Sequence, residues 1–288
     1  MKITNKYGLP EAFVKAVDIN YHNPDGHYSA TTLNRGIKEV ILTKRHFDEI
    51  EVDVADNIWA IWGSAVHALL ESMSDNNFHE EYLKYKVSNS YVTGRLDSYD
   101  LVHGVLYDWK TASTWKVKMD DFSDWYKQGM TYAWLLDKHK LDIFRVVFVA
   151  LLKDHSKSTA RRDTSYPQSP VYVYQFDVDP EELAFHDAWI EDKVMMLELA
   201  ELYQDDDIPP CTMEERWADP DKYAVMKKDR KSAIRVFDSK EDAEEMVRQL
   251  GKDHYIEYRP SVSRKCEEYC DVKKWCSFYK QTHQEEEV

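Results

Sequence analysis

The residues best equipped for chemistry lie between Gly94 and Lys110. Gly94-Arg95-Leu96-Asp97 puts an acid near the end of one apolar run, and Val105-Leu106-Tyr107-Asp108-Trp109-Lys110 closes the next on acid, spacer and lysine. Strand side chains alternate faces, so Asp108 and Lys110 project from the same side. If the two runs pair as a hairpin through Asp100 to Gly104, Asp97 comes close to Asp108. Paired carboxylates suit a hard cation such as Mg²⁺ or Mn²⁺. An ammonium beside them can stabilise a developing oxyanion or orient a water. Together these groups are the apparatus for cutting a phosphodiester.

Such groups need elements to hold them. Upstream, Ile58, Ile61, Trp62, Ala65, Val66, Leu69, Leu70 and Met73 form a helical stripe. His67 and Glu71 share one face of it, and by itself His67 reads as a helix histidine satisfied by water or Glu71. Tyr82–Val87, Tyr91–Tyr99 and Val105–Lys110 read as consecutive, largely antiparallel strands. Phe122 to Lys138 reads as a helix with Gln128 and Tyr132 at i, i+4. Taken alone, Tyr132 is a core residue and Gln128 faces solvent. Ile143–Leu152 fits a buried strand, Tyr172–Val178 another, and Glu181–Tyr203 a long acidic helix after Pro180. Residues 1 to 27 look like an irregular lead-in, followed by a helical pattern from a cap at Ser29 or Thr31 through Arg45. Lys153 to Pro170 reads as a polar loop.

The texture changes at Ile208. A hairpin is expected from Tyr223–Lys227 and Ala233–Phe237 around the basic turn Lys228-Asp229-Arg230-Lys231, which could grip phosphate. A capped helix ending at Gly251 and a strand at Tyr255–Tyr258 follow. The expected organisation is therefore residues 1–207 as one domain and 208–288 as a small β-β-α-β module. The module holds all four cysteines: Cys266, Cys270 and Cys276 in a Cys-x3-Cys-x5-Cys cluster, with Cys211 apart. Four thiols are the number that a [4Fe–4S] cluster or a Zn²⁺ needs, with buried apolar cysteines as the plainer reading.

Composition narrows the classes. With 43% hydrophobic residues, nine Trp and nineteen Tyr among 288 residues, a packed core is expected and some rings are available to stack on bases. A net charge of −15 argues against a uniformly basic nucleic-acid binder. The charge is uneven, however: acids crowd Asp177 to Asp207, and bases collect at Lys153–Arg162 and Lys227–Arg235. No apolar run approaches a membrane span, and the N-terminus lacks the apolar core of an export signal, so a cytoplasmic protein with reduced thiols is expected.

In sequence the pieces resemble the PD-(D/E)XK nuclease superfamily, in its RecB-type and CRISPR-associated exonuclease branch. The resemblance rests on four motifs in the family's order: Gly63 to His67 on a helix, Gly94 to Asp97, Asp108-Trp109-Lys110, and Gln128-x-x-x-Tyr132. They span residues 60 to 135, and the Ser29-x-Thr31-x-Leu33 opening extends the likeness upstream. It implies an α/β restriction-endonuclease-like core, a mixed central sheet flanked by helices, carrying a small cysteine-stapled α+β module. It implies a Mg²⁺- or Mn²⁺-dependent exodeoxyribonuclease acting on single-stranded or duplex DNA ends, with a preference for single strands, in recombination, repair or phage DNA processing, with a single-strand-annealing or recombination protein as a partner. The alternatives are a non-catalytic DNA-end-binding subunit and an RNA-directed nuclease. By the same resemblance His67, Asp97, Asp108 and the Trp109 carbonyl are metal ligands. Lys110 positions or activates the attacking water, and Gln128 and Tyr132 orient the strand or the lysine. Relatives often carry an iron–sulfur staple with one distant cysteine before the nuclease motifs. Here Cys211 follows them and the C-terminal spacing is Cys-x3-Cys, which leaves iron–sulfur and zinc both open.

Overall fold

The computed structural model describes residues 1–17, 24–73 and 78–283. In chain order its elements are β1 (Lys2–Thr4), α1 (Glu11–Val17), β2 (His27–Ser29), α2 (Ala30–Leu33), α3 (Ile37–Arg45), β3 (Glu51–Asp53), α4 (Ile58–Glu71), β4 (Phe78–Val87), β5 (Ser90–Asp100), β6 (Val105–Ala112), α5 (Thr114–Met119), α6 (Ser123–Lys138), β7 (Arg145–Leu152), α7 (Lys157–Ala160), β8 (Val171–Asp177) and α8 (Pro180–Ala200). After them come β9 (Lys222–Lys227), β10 (Arg235–Phe237), α9 (Lys240–Leu250), β11 (His254–Arg259), α10 (Arg264–Glu268) and α11 (Ser277–His283). The chain forms two compact units, Met1–Arg35 with Lys44–Tyr203, and Gly36–Thr43 with Gln204–Val288.

The first unit is built on a mixed six-stranded sheet of order β2-β5-β6-β7-β8, with β4 also on β5. β4 pairs antiparallel along β5 from Ser90 to Tyr99. The other edge of β5 is shared: β2 lies parallel opposite Tyr91–Thr93, and β6 lies antiparallel opposite Ser98–Asp100. Gly94 to Asp97 therefore falls between two partners. β6 leaves β5 after Tyr107 and continues in parallel with β7 as far as Ala112. Leu106 of β6 and Val146, Phe148 and Ala150 of β7 are buried, and α6 lies against β7 where a Cβ at Gly129 would stand 3.0 Å from Val146 and 3.1 Å from Phe148.

The glycine of Gly94-x-x-Asp97 has a steric reason. A Cβ at Gly94 would stand 2.7 Å from Leu135 Cδ1 and 2.9 Å from the Tyr132 ring. Only a bare backbone lets α6 sit this low over β5, and that approach brings the next turn of α6 over β6. On its outer side α6 meets α8, where Thr131 Oγ1 and His186 Nε2 lie 2.9 Å apart. Burial pushes the His186 imidazole down to about 4, and Lys127 adds to the effect.

Three expectations change here. Part of the presumed lead-in is ordered: β1 pairs with β3, and the Asp53 carboxylate accepts from Thr4 Oγ1 at 2.8 Å and the Lys6 N–H at 2.9 Å. Residues 18–23 lie outside the described residues. The helix expected from Ser29 through Arg45 is two helices. Ser29 caps α2 by accepting from the Thr32 N–H, and the chain turns at Asn34–Arg35 before α3 restarts. The polar loop after β7 contains α7, whose N-terminus is capped by Ser156.

In the second unit the strands run antiparallel in the order β10-β9-β11, and α9 opens on a Ser239 cap. Tyr223 pairs with both Phe237 and Tyr258, the β-β-α-β arrangement read from the sequence. Gly36–Thr43 joins this unit through a buried lysine: Lys38 Nζ donates to the Ile208 carbonyl at 2.7 Å and to Ser277 Oγ at 2.8 Å. Beside it Lys265 pairs with Glu39 at 2.6 Å. The acidic tail 284–288 lies outside the described residues.

Candidate active site

The site forms where β5 and β6 separate. One step beyond the last pair, Ser98 and Tyr107, the Asp97 carboxylate replaces a backbone acceptor: its Oδ2 takes the Trp109 N–H at 2.7 Å. Asp97 and Asp108 are thus brought together across the split, as the hairpin register requires. Asp108 is 3% exposed. Lys110, two residues along the same strand, places its Nζ 2.7 Å from Asp108 Oδ2. The ammonium is the partner of this otherwise unpaired buried oxygen.

Burial pushes the Asp108 carboxyl up to about 6; Lys110 opposes this and the Asp97 charge adds to it. An ionised Asp108 is therefore costly in the bare site, which calls for positive charge nearby.

α4 and α6 supply the walls. From α4, His67 Nδ1 lies 3.1 Å from Asp97 Oδ1. From α6, Gln128 accepts from Lys110 Nζ at 3.0 Å and donates through Nε2 to Tyr132 Oη at 2.9 Å, with a longer contact to Asp108 Oδ1 at 3.4 Å. Gln128 and Tyr132 are each 7% exposed. Gln128 is thus buried, contrary to the solvent-facing reading of its isolated spacing, because the Gly94 approach lowers α6 onto the sheet. The hydrogen bonds of the pair run from Tyr132 through Gln128 to Lys110.

Glu71, expected as a possible partner of His67, is exposed at the end of α4. The sequence reading missed His79. The register of β4 sets it opposite Ser98, and its Nδ1 lies 3.3 Å from the Asp97 carbonyl oxygen. No local spacing marks that position, since only strand pairing brings it there. The apolar stripe of α4 is a second surprise: no residue of the helix is buried, and Trp62 and Leu69 of the stripe are more than half exposed, as is Trp59 outside it.

The donor types fit a hard divalent cation, with two buried carboxylates and an imidazole. Among the described residues, though, no group of three or more His, Cys, Asp or Glu side chains is placed around a common point for an ion. The same holds for the thiols of the second unit. Cys211, Cys266, Cys270 and Cys276 are free and half-buried. Burial first, then neighbouring charges, push Cys211, Cys266 and Cys270 up to about 11. A thiolate at Cys276 would raise each of them, so the four sulfurs sense one another. A Cβ at Gly36 would stand 2.3 Å from the Cys211 sulfur, so the backbone there must be bare. Four such thiols fit zinc or an iron–sulfur cluster by donor type and do not distinguish them.

No family model and no curated protein matches the sequence. Among solved structures, the chain is similar to SSO0001 at 16% identity and a TM-score of 0.47, over 64% of this chain and 84% of that one. It is similar to the alkaline exonuclease LHK-Exo of Laribacter hongkongensis at 10% identity and a TM-score of 0.38, over 61% and 90%. It is also similar to a phage-related exonuclease of Haemophilus somnus 129PT at 13% identity and a TM-score of 0.37, over 64% and 98%.

Proposed function

We propose that the chain is a metal-dependent deoxyribonuclease of the PD-(D/E)XK type, an exonuclease that degrades DNA ends in recombination, repair or phage DNA processing. The observation that carries this reading is the buried Asp108 carboxylate, with Asp97 beside it and Lys110 locked against it by Gln128. Two neighbouring carboxylates set against a single ammonium leave buried negative charge that a divalent cation would offset.

In this reading His67, Asp97, Asp108 and the Trp109 carbonyl hold Mg²⁺ or Mn²⁺. A divalent cation there would neutralise charge gathering on the phosphoryl oxygens and make hydroxide available near neutral pH. The protein's own part is positional. Asp97 ties Trp109 in place through its N–H, which fixes the turn of β6 that carries Asp108 and Lys110. Gln128, itself held by Tyr132, aims the lysine. The ammonium then donates a hydrogen bond to the attacking water or to a non-bridging oxygen. The non-catalytic alternative is disfavoured because Asp97, Asp108 and Lys110 are all present and mutually placed. Cys211, Cys266, Cys270 and Cys276 are proposed to hold a [4Fe–4S] cluster or zinc that staples the second unit.

The test is incubation of the purified chain with end-labelled single- and double-stranded DNA and Mn²⁺, reading product sizes. Asp108→Ala and Lys110→Ala are expected to abolish cleavage with the circular dichroism spectrum intact. Full cleavage by both variants would overturn the assignment. Visible absorbance and metal analysis of the same preparation separate iron–sulfur from zinc.

A further inference from the structure

Four tryptophans are exposed among the described residues: Trp59, Trp62, Trp115 and Trp217. Three of them sit on α4 and α5, the helices that adjoin the site strand β6. Half-exposed indoles on the two helices beside this strand are available to stack on a ligand.

The geometry ties these rings to the site. α4 crosses β6 at Gly63, where a Cβ would meet Thr111 Oγ1 at 3.4 Å. One turn toward its C-terminus the helix presents His67 to Asp97. One turn toward its N-terminus it presents Trp59, and Lys153 Nζ lies 4.3 Å from that ring's centroid. Eight residues of helix separate Trp59 from His67, about 12 Å. That spans roughly three to four stacked nucleotides at about 3.4 Å each.

Lys153 is itself fixed at the end of the site strand, since its N–H donates to the Ala112 carbonyl at 3.0 Å. α5 starts from the same end, and the Asp154 carboxylate clamps it through the Thr114 N–H at 2.7 Å and hydroxyl at 3.0 Å. Trp115 follows directly. Thr111–Met119 and Lys153–Asp163 together contain six bases (Lys116, Lys118, Lys153, Lys157, Arg161, Arg162) against two acids, with Asp120, Asp121 and Asp124 directly after the first segment. Both acids are engaged, Asp154 with Thr114 and Asp163 with Ser165; among the bases, Lys116 is paired with Asp124. On a chain of net charge −15 these segments are locally less acidic, with Lys153 set beside an exposed ring.

We propose that Trp59 with Lys153, and Trp115 beyond the end of β6, form a stacking track for single-stranded DNA that leads into the site. The inference rests on the nuclease reading and names the form of its substrate. The indoles take bases by stacking, which every base permits, and Lys153 takes the phosphate of the nucleotide on Trp59. A duplex keeps its base faces stacked internally and cannot use the rings.

The experiment reads binding separately from cleavage. Affinity for a fluorescent oligo-dT is measured in EDTA by anisotropy, and steady-state cleavage of single-stranded and duplex DNA is measured with Mn²⁺. Trp59→Ala is expected to weaken oligo-dT binding roughly 5- to 150-fold. It should raise KM on single strands, leave kcat and duplex binding unchanged, and be rescued by Trp59→Phe. Lys153→Ala should lower the slope of log affinity against log salt by about 0.7. Trp217→Ala, on the other unit, should behave as wild type. Oligo-dT binding that survives Trp59→Ala and Trp115→Ala overturns the track, and cleavage in the same variants would leave the nuclease reading standing. Tryptophan-dependent binding by a wild type that never cleaves supports the track and sinks the nuclease reading. Tighter binding of the matching RNA than of DNA overturns the assignment to DNA.

Discussion

Asp108→Asn should stabilise the metal-free protein while ending its activity. The fold raises the Asp108 carboxyl from its ordinary value near 3.8 to about 6, chiefly by burial. At 1.36 kcal/mol per tenfold, ionising it in the bare site costs about 3 kcal/mol relative to the unfolded chain. A raised carboxyl favours the protonated fold. Stability from this group is therefore full below pH 4, is lost as pH rises toward 6, and stays lost above it. Asparagine keeps the shape of the protonated acid and cannot ionise. In EDTA at pH 7 the variant should exceed wild type by up to about 3 kcal/mol, or on the order of 6–12 °C for a unit of this size. The two should converge at pH 4. Adding Mn²⁺ at 1,000 times its Kd should reverse the order, since that stabilises by about 4.1 kcal/mol, more than the deficit, and only wild type keeps the carboxylate. Denaturant and thermal melts across pH 4 to 8, with EDTA or Mn²⁺, measure all of this. A variant less stable than wild type in EDTA at pH 7, or a difference that ignores pH, would refute the reasoning.

Two further outcomes follow from the same geometry. Gln128→Leu should release the Lys110 ammonium without touching substrate, so kcat should fall roughly 100-fold, as for about 1 Å of misplacement, while KM holds; an unchanged kcat would remove its positioning role. His186 has the opposite pH sign to Asp108. Its imidazole is held down near 4 by burial and by Lys127, so its contribution is full above pH 6.5 and is lost as pH falls toward 4, about 3 kcal/mol in all. Because the two effects oppose each other over one pH range, wild-type melts hide both. The wild-type-minus-His186→Gln difference should shrink on acidification, and a flat difference would exclude the assignment.

Much of the site was legible in the sequence because its chemistry is local. Asp108 and Lys110 share a face by the alternation of any strand, and Asp97 meets Asp108 because a short antiparallel hairpin fixes its own register. The helix boundaries around His67 and Gln128, the Ser29 and Ser239 caps and the β-β-α-β order of the second unit also follow from nearest-neighbour patterns. Other features depend on partners far away in the chain. Gln128 looked solvent-facing until Gly94, thirty-four residues earlier, let α6 settle onto β5. His79 reached Asp97 only through strand pairing. The stripe of α4 had the period of a buried helix and is exposed, since periodicity reports that a face is apolar and not what covers it. Sequence determined which groups could do the chemistry, through residue type and short-range geometry. Tertiary structure decided how they are solvated: which carboxylate is buried against the lysine, which amide is buried behind it, and which rings stay in water. Burial and charge coupling are sums over neighbours from every element, and no local stretch of chain contains them.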